Sequence, residues 1–411
     1  LLGYNSNFTI YDSDDSKSLI KAIVKEWGLN DKIYKPNTVL SRISSAKNNL
    51  ISWRAYLANP EFIAEDETAG RPKLGKVYQE YCTRCFQANA MDFDDLLFNT
   101  NVLFHRFPEA LNRYQHKFKY VLIDEFQDTN ISQYGITKRL SAVHQNICVV
   151  GDDAQSIYAF RGANIQNILN FEKDYPELHT VKLEQNYRSS QNIVDAANSL
   201  IKHNRNQLRK DVWTENEAGE FIELIKCTSD SEEGRLVANS IFEAKMQYQL
   251  ANSDFAILYR TNAQSRALEE ALRRMSISYK IIGGLSFYQR KEIKDLVAYL
   301  RFTINPADEE AFKRIINQPK RGIGNTSVDK IRVAARENGV NIWDVVSNAG
   351  KYLGTGRITK AVGDFATLIK SFKISVEQKN AFEAATHVAK NSGILKELYD
   401  DKTIEGRVRY D

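Results

Sequence analysis

Tyr120-Val-Leu-Ile-Asp-Glu-Phe-Gln-Asp-Thr-Asn130 is the stretch that decides how this chain is read. An apolar, β-prone run stops abruptly at two adjacent carboxylates, Asp124 and Glu125. In open α/β sheets ligands bind at the carboxyl ends of the strands, so both carboxylates stand where a ligand would be met. Phosphoryl transfer needs a metal-holding carboxylate beside a group that orients the nucleophile. Asp124 suits the Mg²⁺ of a nucleotide, and Glu125 suits the attacking water. Alone, the stretch reads more simply as a buried strand meeting an acidic turn. The blocks that follow reverse that reading.

Residues Ile147-Cys-Val-Val-Gly-Asp-Asp-Ala-Gln-Ser-Ile-Tyr-Ala-Phe-Arg-Gly-Ala163 form a second apolar run, a polar turn and an aromatic-rich segment. Val181-Lys-Leu-Glu-Gln-Asn-Tyr-Arg-Ser-Ser190 is a third strand-like run ending in an aromatic–arginine pair. In this order the three blocks resemble the Walker B motif, motif III and motif IV of the superfamily 1 DNA helicases of the UvrD, PcrA and Rep type. The resemblance continues through Leu258 to Arg266, Gly283 to Tyr288 and Pro319 to Gly324, and covers nearly the whole chain.

The resemblance implies RecA-like P-loop NTPase motor domains, an α/β class, with two mainly helical insertion domains. It also implies ATP and Mg²⁺ as cofactors. Asp124 and Glu125 would serve the metal, and Glu125 would activate water. Gln155 would sense the γ-phosphate, Tyr187 would stack on the adenine, and Arg188 would stabilise charge in the transition state. Tyr158, Phe160 and Arg161 would grip single-stranded DNA, joined by Arg260, Thr261 and Asn262. The family often has Trp where this chain has Phe160, which leaves less face for a base to stack on. Ser286 stands where relatives can place Lys, which puts a phosphate contact there in doubt.

The family's first motif, a P-loop, is absent. Gly70-Arg-Pro-Lys-Leu-Gly-Lys-Val77 imitates one, but Val77 stands where a Ser or Thr hydroxyl should ligate Mg²⁺. The preceding Ala64-Glu-Asp-Glu-Thr-Ala69 cannot be the buried strand that a P-loop leaves. A surface loop between helices is the expected structure. The chain starts at Leu1 and ends in the charged Glu405 to Asp411, so an internal piece of a longer enzyme is expected, with both motor sheets short of strands. Missing strands would expose sheet edges and apolar packing surface.

The bounds from composition are wide. A length of 411 residues allows about two to four domains. The 43% hydrophobic content suffices for ordinary cores and argues against wholesale disorder. A net charge of +4 is too weak to identify nucleic acid as a partner by itself. Lys313 to Arg332 is locally basic, with six Lys or Arg and one Asp. Inside it, Gly322-Ile323-Gly324 could offer backbone N–H groups to phosphate, because glycine permits close backbone approach. In the family this segment contacts duplex DNA ahead of the fork. No apolar run reaches the roughly eighteen residues of a membrane span.

The cysteines are Cys82, Cys85, Cys148 and Cys227. Cys82-x-x-Cys85 falls in a helical pattern without a second pair at zinc spacing, so a structural role and a reducing, cytoplasmic setting are expected. Asp92-Phe-Asp-Asp-Leu-Leu97 looks like an acidic first turn that complements the helix dipole.

Periodicity divides the chain four ways. Residues 1–113 read as a helical insertion, with apolar positions three and four apart at Leu19, Ile20, Ile23, Val24 and Trp27. Residues 114–183 alternate strands and helices, the later half of a first motor domain. Residues 184–300 alternate again, with strands expected at Phe221–Ile225 and Phe255–Tyr259. Residues 301–411 return to helices, a partial second insertion. The partners implied are single-stranded DNA, a duplex junction, and repair or replication proteins, with no membrane. Two other readings stand beside a 3′-to-5′ DNA helicase whose piece here is inactive alone. One is a non-catalytic DNA-binding or partner-docking module, the other the motor subunit of a helicase–nuclease.

Overall fold

The computed structural model describes residues 1–205, 207–283, 287–403, 406 and 409. It forms two compact units. The first comprises Leu1–Val181, Asn206–Arg209 and Lys291–Asp411, and the second Lys182–Arg205 with Lys210–Arg290.

The first unit opens with strand β1 (Thr9–Tyr11) and helices α1 (Ser13–Glu26), α2 (Pro36–Asn48), α3 (Trp53–Ala58), α4 (Pro60–Thr68) and α5 (Leu74–Gln87). Strand β2 (Ala90–Asp92) returns parallel to β1, with Thr9 opposite Ala90. Helix α1 starts on a reciprocal cap. The Asp12 carboxylate accepts from the Asp15 N–H, and the Asp15 carboxylate accepts from the Asp12 N–H. Its buried face is Leu19, Ile20, Ile23 and Val24, as the spacing predicts, while Trp27 sits partly exposed at the helix end. These residues share a core with Val39, Ile43, Val77, Tyr78 and Tyr81.

The segment that imitates a P-loop is a surface loop only as far as Lys73, because Leu74 to Val77 are the first turn of α5. Gly70 takes a left-handed φ of 71° there, Lys76 lies inside α5, and Val77 is fully buried. Cys82 and Cys85 also belong to α5, half-buried and buried, and all four cysteines are free thiols.

Helix α6 (Phe93–Arg106) begins at Asp92, whose carboxylate caps the Asp95 N–H at 2.7 Å. The acidic turn does more than complement a dipole. Lys47 of α2 is 1% exposed, and its Nζ lies 2.6 Å from Asp92 and 2.8 Å from Asp95. The Tyr81 hydroxyl donates to Asp92 at 2.8 Å. Burial and the second carboxylate push Asp95 up to about 6 although Lys47 opposes the shift. Removing the lysine would leave two buried carboxylates facing each other. Lys47→Ala should therefore cost about 3–5 kcal/mol in denaturant unfolding. A loss below about 1 kcal/mol, the worth of a surface pair, would contradict a buried clamp.

The chain then forms α7 (Pro108–Lys117), strand β3 (Val121–Ile123), α8 (Ile131–Ser141), strand β4 (Ile147–Val149), α9 (Gln166–Leu169) and α10 (Phe171–Asp174). Strands β3 and β4 pair in parallel, with Val121 opposite Ile147 and Ile123 opposite Val149. Phe126, just past β3, is fully buried against Tyr134 and Phe171. Leu122, pointing the other way in β3, is 76% exposed.

The second unit holds α11 (Gln191–Ile201), α12 (Asp230–Tyr248) and α13 (Ser265–Arg274). Gly234 lets α12 approach α13 closely, since a Cβ there would lie 2.7 Å from the Ala267 carbonyl oxygen. Ala238, Leu272 and Ile277 form its small core. The strands expected at Phe221–Ile225 and Phe255–Tyr259 do not form, and the run from Val181 contributes only an isolated bridge between Gln185 and Trp213. A β-strand is stable only when a neighbour takes its N–H and C=O groups. Among the described residues these runs pair with nothing in a ladder, and Phe221, Leu224 and Leu258 stand 90%, 86% and 95% exposed.

Returning to the first unit, the chain is helical: α14 (Lys291–Ile304), α15 (Glu309–Ile315), α16 (Asn325–Glu337), α17 (Ile342–Ser347), α18 (Ala349–Leu353), α19 (Arg357–Gln378), α20 (Ala381–Ser392) and α21 (Ile394–Asp400). Phe302, Phe312, Phe365 and Phe372 centre their core. This bundle is fastened to the amino-terminal helices by polar contacts. Lys294 meets Asp14 at 2.6 Å, Arg301 bridges Asp15 and Asp308, and the Asn305 amide donates to Thr9 and to the Ala88 carbonyl. Glu26 accepts from Arg84, Arg332 and Arg336 at 2.7–2.8 Å. Among the described residues no helix is long and apolar enough to cross a membrane.

Partial burial alone would raise the Glu26 carboxyl, yet the Arg84 and Arg336 hydrogen bonds bring it down to about 2. A carboxylate depressed in the folded state stabilises the fold above its ordinary pKa and loses that contribution as pH falls through the depressed value. The unit should therefore weaken between about pH 4.5 and about 2. Glu26→Gln should flatten that part of the acid-unfolding curve followed by circular dichroism. An unchanged curve would show that the arginine cluster does not report on folding.

Candidate functional site

Strand β3 delivers Asp124 and Glu125 to its carboxyl end, where both are exposed. Glu125 adopts φ 49° and ψ 44°, a left-handed conformation uncommon outside glycine. Such backbone costs about 1–3 kcal/mol and persists only where surrounding contacts hold it. Here the Asp124 carboxylate accepts the Glu125 N–H at 2.9 Å, and Phe126 N–H bonds to the Val150 carbonyl at 2.9 Å. The chain thus turns at Glu125 between two anchored neighbours.

Gln127, to which the sequence reading gave no role, is 1% exposed. Its amide nitrogen donates to Glu125 Oε2 at 2.7 Å, and its amide oxygen accepts the Asp152 N–H at 2.9 Å. It lies within the block that resembles Walker B, but its partner Asp152 follows β4, far along the chain, so the local pattern does not show the contact. Asp152 in turn caps the short 3-10 turn Asp153–Gln155, accepting from the Ala154 N–H and from the Gln155 side-chain amide at 2.9 Å each. Asp124, Glu125 and Gln155 are therefore brought together by one sheet edge.

Tyr158, Phe160 and Arg161 follow in a second 3-10 turn, Ala159–Arg161. Phe160 is 77% exposed, its ring centroid 6.0 Å from that of Tyr158. The Arg161 guanidinium lies 5.3 Å and 5.5 Å from the two ring centroids. An exposed Phe160 ring and a partly exposed Tyr158 ring beside a cation are the kind of surface that suits unstacked bases and the backbone that joins them. Asn164 N–H bonds to the Thr129 carbonyl at 2.9 Å, which ties this turn back to the segment after β3.

The second unit presents Tyr187, Arg188, Arg260, Thr261 and Asn262, all exposed. The Asn186 carboxamide accepts the Arg188 and Ser189 N–H groups, so the Tyr187–Arg188 pair sits on a side-chain-closed turn. The Gln264 carboxamide does the same for Arg260 and Thr261 at the start of α13. Gly284, Leu285 and Ser286 lie outside the described residues.

The Gly322–Gly324 turn is exposed at both glycines, with Gly322 at φ 74°. Ile323 between them is buried in the helical core, and its N–H is taken by the Asn317 carboxamide at 3.2 Å. Ile323 therefore anchors the turn from below, and only the glycines present open backbone. Gly324 caps α16.

The basic patch around this turn is much weaker than its composition. Lys313 meets Glu309 and Glu310, Arg314 meets Asp295, and Arg332 meets Glu26 and Glu309. Arg321 turns inward to the Ile315, Pro319 and Ser392 carbonyls. Most of the acidic partners lie outside the 313–332 window, so a local count misses them. Lys320 and Lys330 remain exposed.

Two family models match the chain. One, described as the UvrD/REP helicase N-terminal domain, matches residues 1–176, and the other, the UvrD-like helicase C-terminal domain, residues 181–383. The chain is 41% identical over 411 residues to the ATP-dependent DNA helicase PcrA of Bacillus subtilis, covering 99% of this chain and 54% of that protein. It is 39% identical to the PcrA of Leuconostoc citreum over 411 residues, with 99% and 54% covered. It is 40% identical to a Staphylococcus aureus PcrA over 412 residues, with 99% and 55% covered. The chain spans about half the length of the curated relatives it matches.

Proposed function

Since this chain belongs to the superfamily 1A helicases of the UvrD/PcrA type, we propose that it carries part of an ATP-dependent motor that moves 3′ to 5′ along single-stranded DNA and opens duplex junctions. The observation that carries the reading is the β3–β4 edge, where Asp124, Glu125 and Gln155 converge beside the exposed Tyr158–Phe160–Arg161 turn. Residues 114–183 and 184–300 are the motor portions, and 1–113 and 301–411 the helical insertions. The motor sheets within these residues are incomplete. The exposed Leu122 in β3 supports that view, because parallel sheets are ordinarily covered on both faces, and the exposed apolar Phe221, Leu224 and Leu258 form no strand at all. DNA repair or replication restart, with proteins of those processes as partners, is the setting we assign.

Two exposed carboxylates offer hard oxygen donors, the set Mg²⁺ prefers, so Asp124 with Glu125 fits the metal of a nucleotide. Bound there, Mg²⁺ would neutralise charge on the phosphate oxygens. Glu125 orients and polarises the attacking water. Gln155 reads the γ-phosphate, Tyr187 stacks on the adenine, and Arg188 stabilises the charge that develops during transfer. Phe160 and Tyr158 grip bases without regard to sequence, which a translocase requires. Arg260, Thr261 and Asn262 meet the strand backbone, and Gly322 and Gly324 meet phosphates of the duplex.

Within these 411 residues no P-loop is present to cradle the phosphates, so this chain alone should show no DNA-stimulated ATPase activity. In the full-length protein, Glu125→Gln should keep ATP and DNA binding while losing most hydrolysis, about a hundredfold or more, because an amide cannot polarise water as a carboxylate does. ATP turnover within about twofold of the parent, measured with saturating DNA, would remove Glu125 from the mechanism.

The two DNA contacts should separate. Phe160→Ala should weaken single-strand binding by about 1–3 kcal/mol, the worth of one base stack. Gly322→Val should weaken binding to a duplex junction and leave single-strand translocation intact. Titrations of both variants with single strand and with junction read the difference. Equal losses on both substrates for both variants would overturn the assignment.

A further inference from the structure

We infer that Gln127 is a positioning residue, holding the Glu125 carboxylate in its water-orienting pose and tying it to the turn that carries Gln155. The inference rests on the reading of Glu125 given above. Three observations support it. First, Gln127 is 1% exposed, yet its amide uses both ends on functional segments: Nε2 donates to Glu125 Oε2 at 2.7 Å, and Oε1 accepts the Asp152 N–H at 2.9 Å. The chemistry of these partners fixes the amide's orientation. A carboxylate can only accept and a backbone N–H can only donate, so the flipped amide would lose both bonds.

Second, the contact continues. Asp152 accepts the Gln155 side-chain amide at 2.9 Å, and the Ser156 hydroxyl donates to the Gln127 main-chain carbonyl at 3.3 Å. A hydrogen-bonded path thus runs from Glu125 through Gln127 and Asp152 to Gln155, just before the exposed Tyr158 and Phe160. Third, the space is reserved. A Cβ at residue 151 would lie 2.7 Å from Gln127 Oε1 and 2.9 Å from Ile168, so glycine at 151 keeps the amide in place.

The physical need is clear from Glu125 itself. Its side chain is exposed and begins from a left-handed backbone. Without a restraint it would sample several rotamers, and a misplaced catalytic group loses rate steeply. A charge-assisted hydrogen bond from a buried, doubly anchored amide supplies that restraint.

Gln127→Glu separates positioning from packing. It keeps the volume and an acceptor for the Asp152 N–H, but it turns the donor facing Glu125 into an oxygen. In the full-length protein, assayed where circular dichroism shows the variant folded, it should lower kcat for ATP roughly ten- to a hundredfold with KM for ATP within about twofold, while the second carboxylate facing Glu125 lowers thermal stability. Gly151→Ala, which crowds the amide without removing it, should lower kcat in the same direction. Glu125→Gln runs in parallel as the reference. If Glu125→Gln keeps turnover, the reading of Glu125 fails and the inference falls with it. If Glu125→Gln loses turnover but Gln127→Glu keeps kcat within about twofold, the reading stands and Gln127 has no positioning role. A kcat loss in Gln127→Glu that only follows the unfolded fraction, or a raised KM with unchanged kcat, assigns Gln127 to packing or binding and overturns the inference.

Discussion

The parallel pairing of Val121–Ile123 with Ile147–Val149 is the constraint on which the candidate site depends. It is only three residues long on each side, yet it sets two distant segments at one edge. The main-chain bonds from Val150 N–H to Ile123 and from Phe126 N–H to Val150 carry the register past the strand ends. Phe126 then drives into the core against Phe171, which forces the chain to turn sharply at Glu125. The left-handed backbone of Glu125 is the local cost of placing two carboxylates and a buried glutamine within four residues.

Much of this was legible beforehand because the relevant signals are local. Apolar runs ending in Asp124–Glu125 and in Gly151–Asp152 announced strand ends, and the three-and-four spacing of Leu19 to Val24 announced a helix face. The absence of a preceding strand announced a turn at Gly70 to Lys73, but Leu74 to Val77 proved to be the start of a helix, buried at Leu74, Gly75 and Val77. The strands expected in the second unit failed for a non-local reason. Phe221–Ile225 and Phe255–Tyr259 have strand composition, but a strand exists only with a partner, and composition does not say whether one is present.

The remaining differences are electrostatic and lie equally beyond a local reading. Asp92 and Asp95 looked like a helix start, and they are one, but Lys47 from α2 turns the same residues into a buried ion cluster. Lys313 to Arg332 looked basic, but Glu26, Asp295, Glu309 and Glu310 pair with three of its six basic residues. Charge in a window measures a surface only when no other element folds onto it. Gln127 was missed for the same reason, since its significance lies in what it joins across β4.

If the proposed function is right, nucleotide chemistry meets the single strand at the carboxyl ends of β3 and β4. The most direct measurement is a crystal structure of the full-length protein with Mg²⁺, a non-hydrolysable ATP analogue and a short single strand. Metal density is expected at the Asp124 carboxylate, the γ-phosphate within reach of Gln155, and a base stacked on Phe160. Nucleotide bound away from Asp124 and Glu125, or a strand that leaves the Tyr158–Arg161 turn bare, would contradict the proposed function.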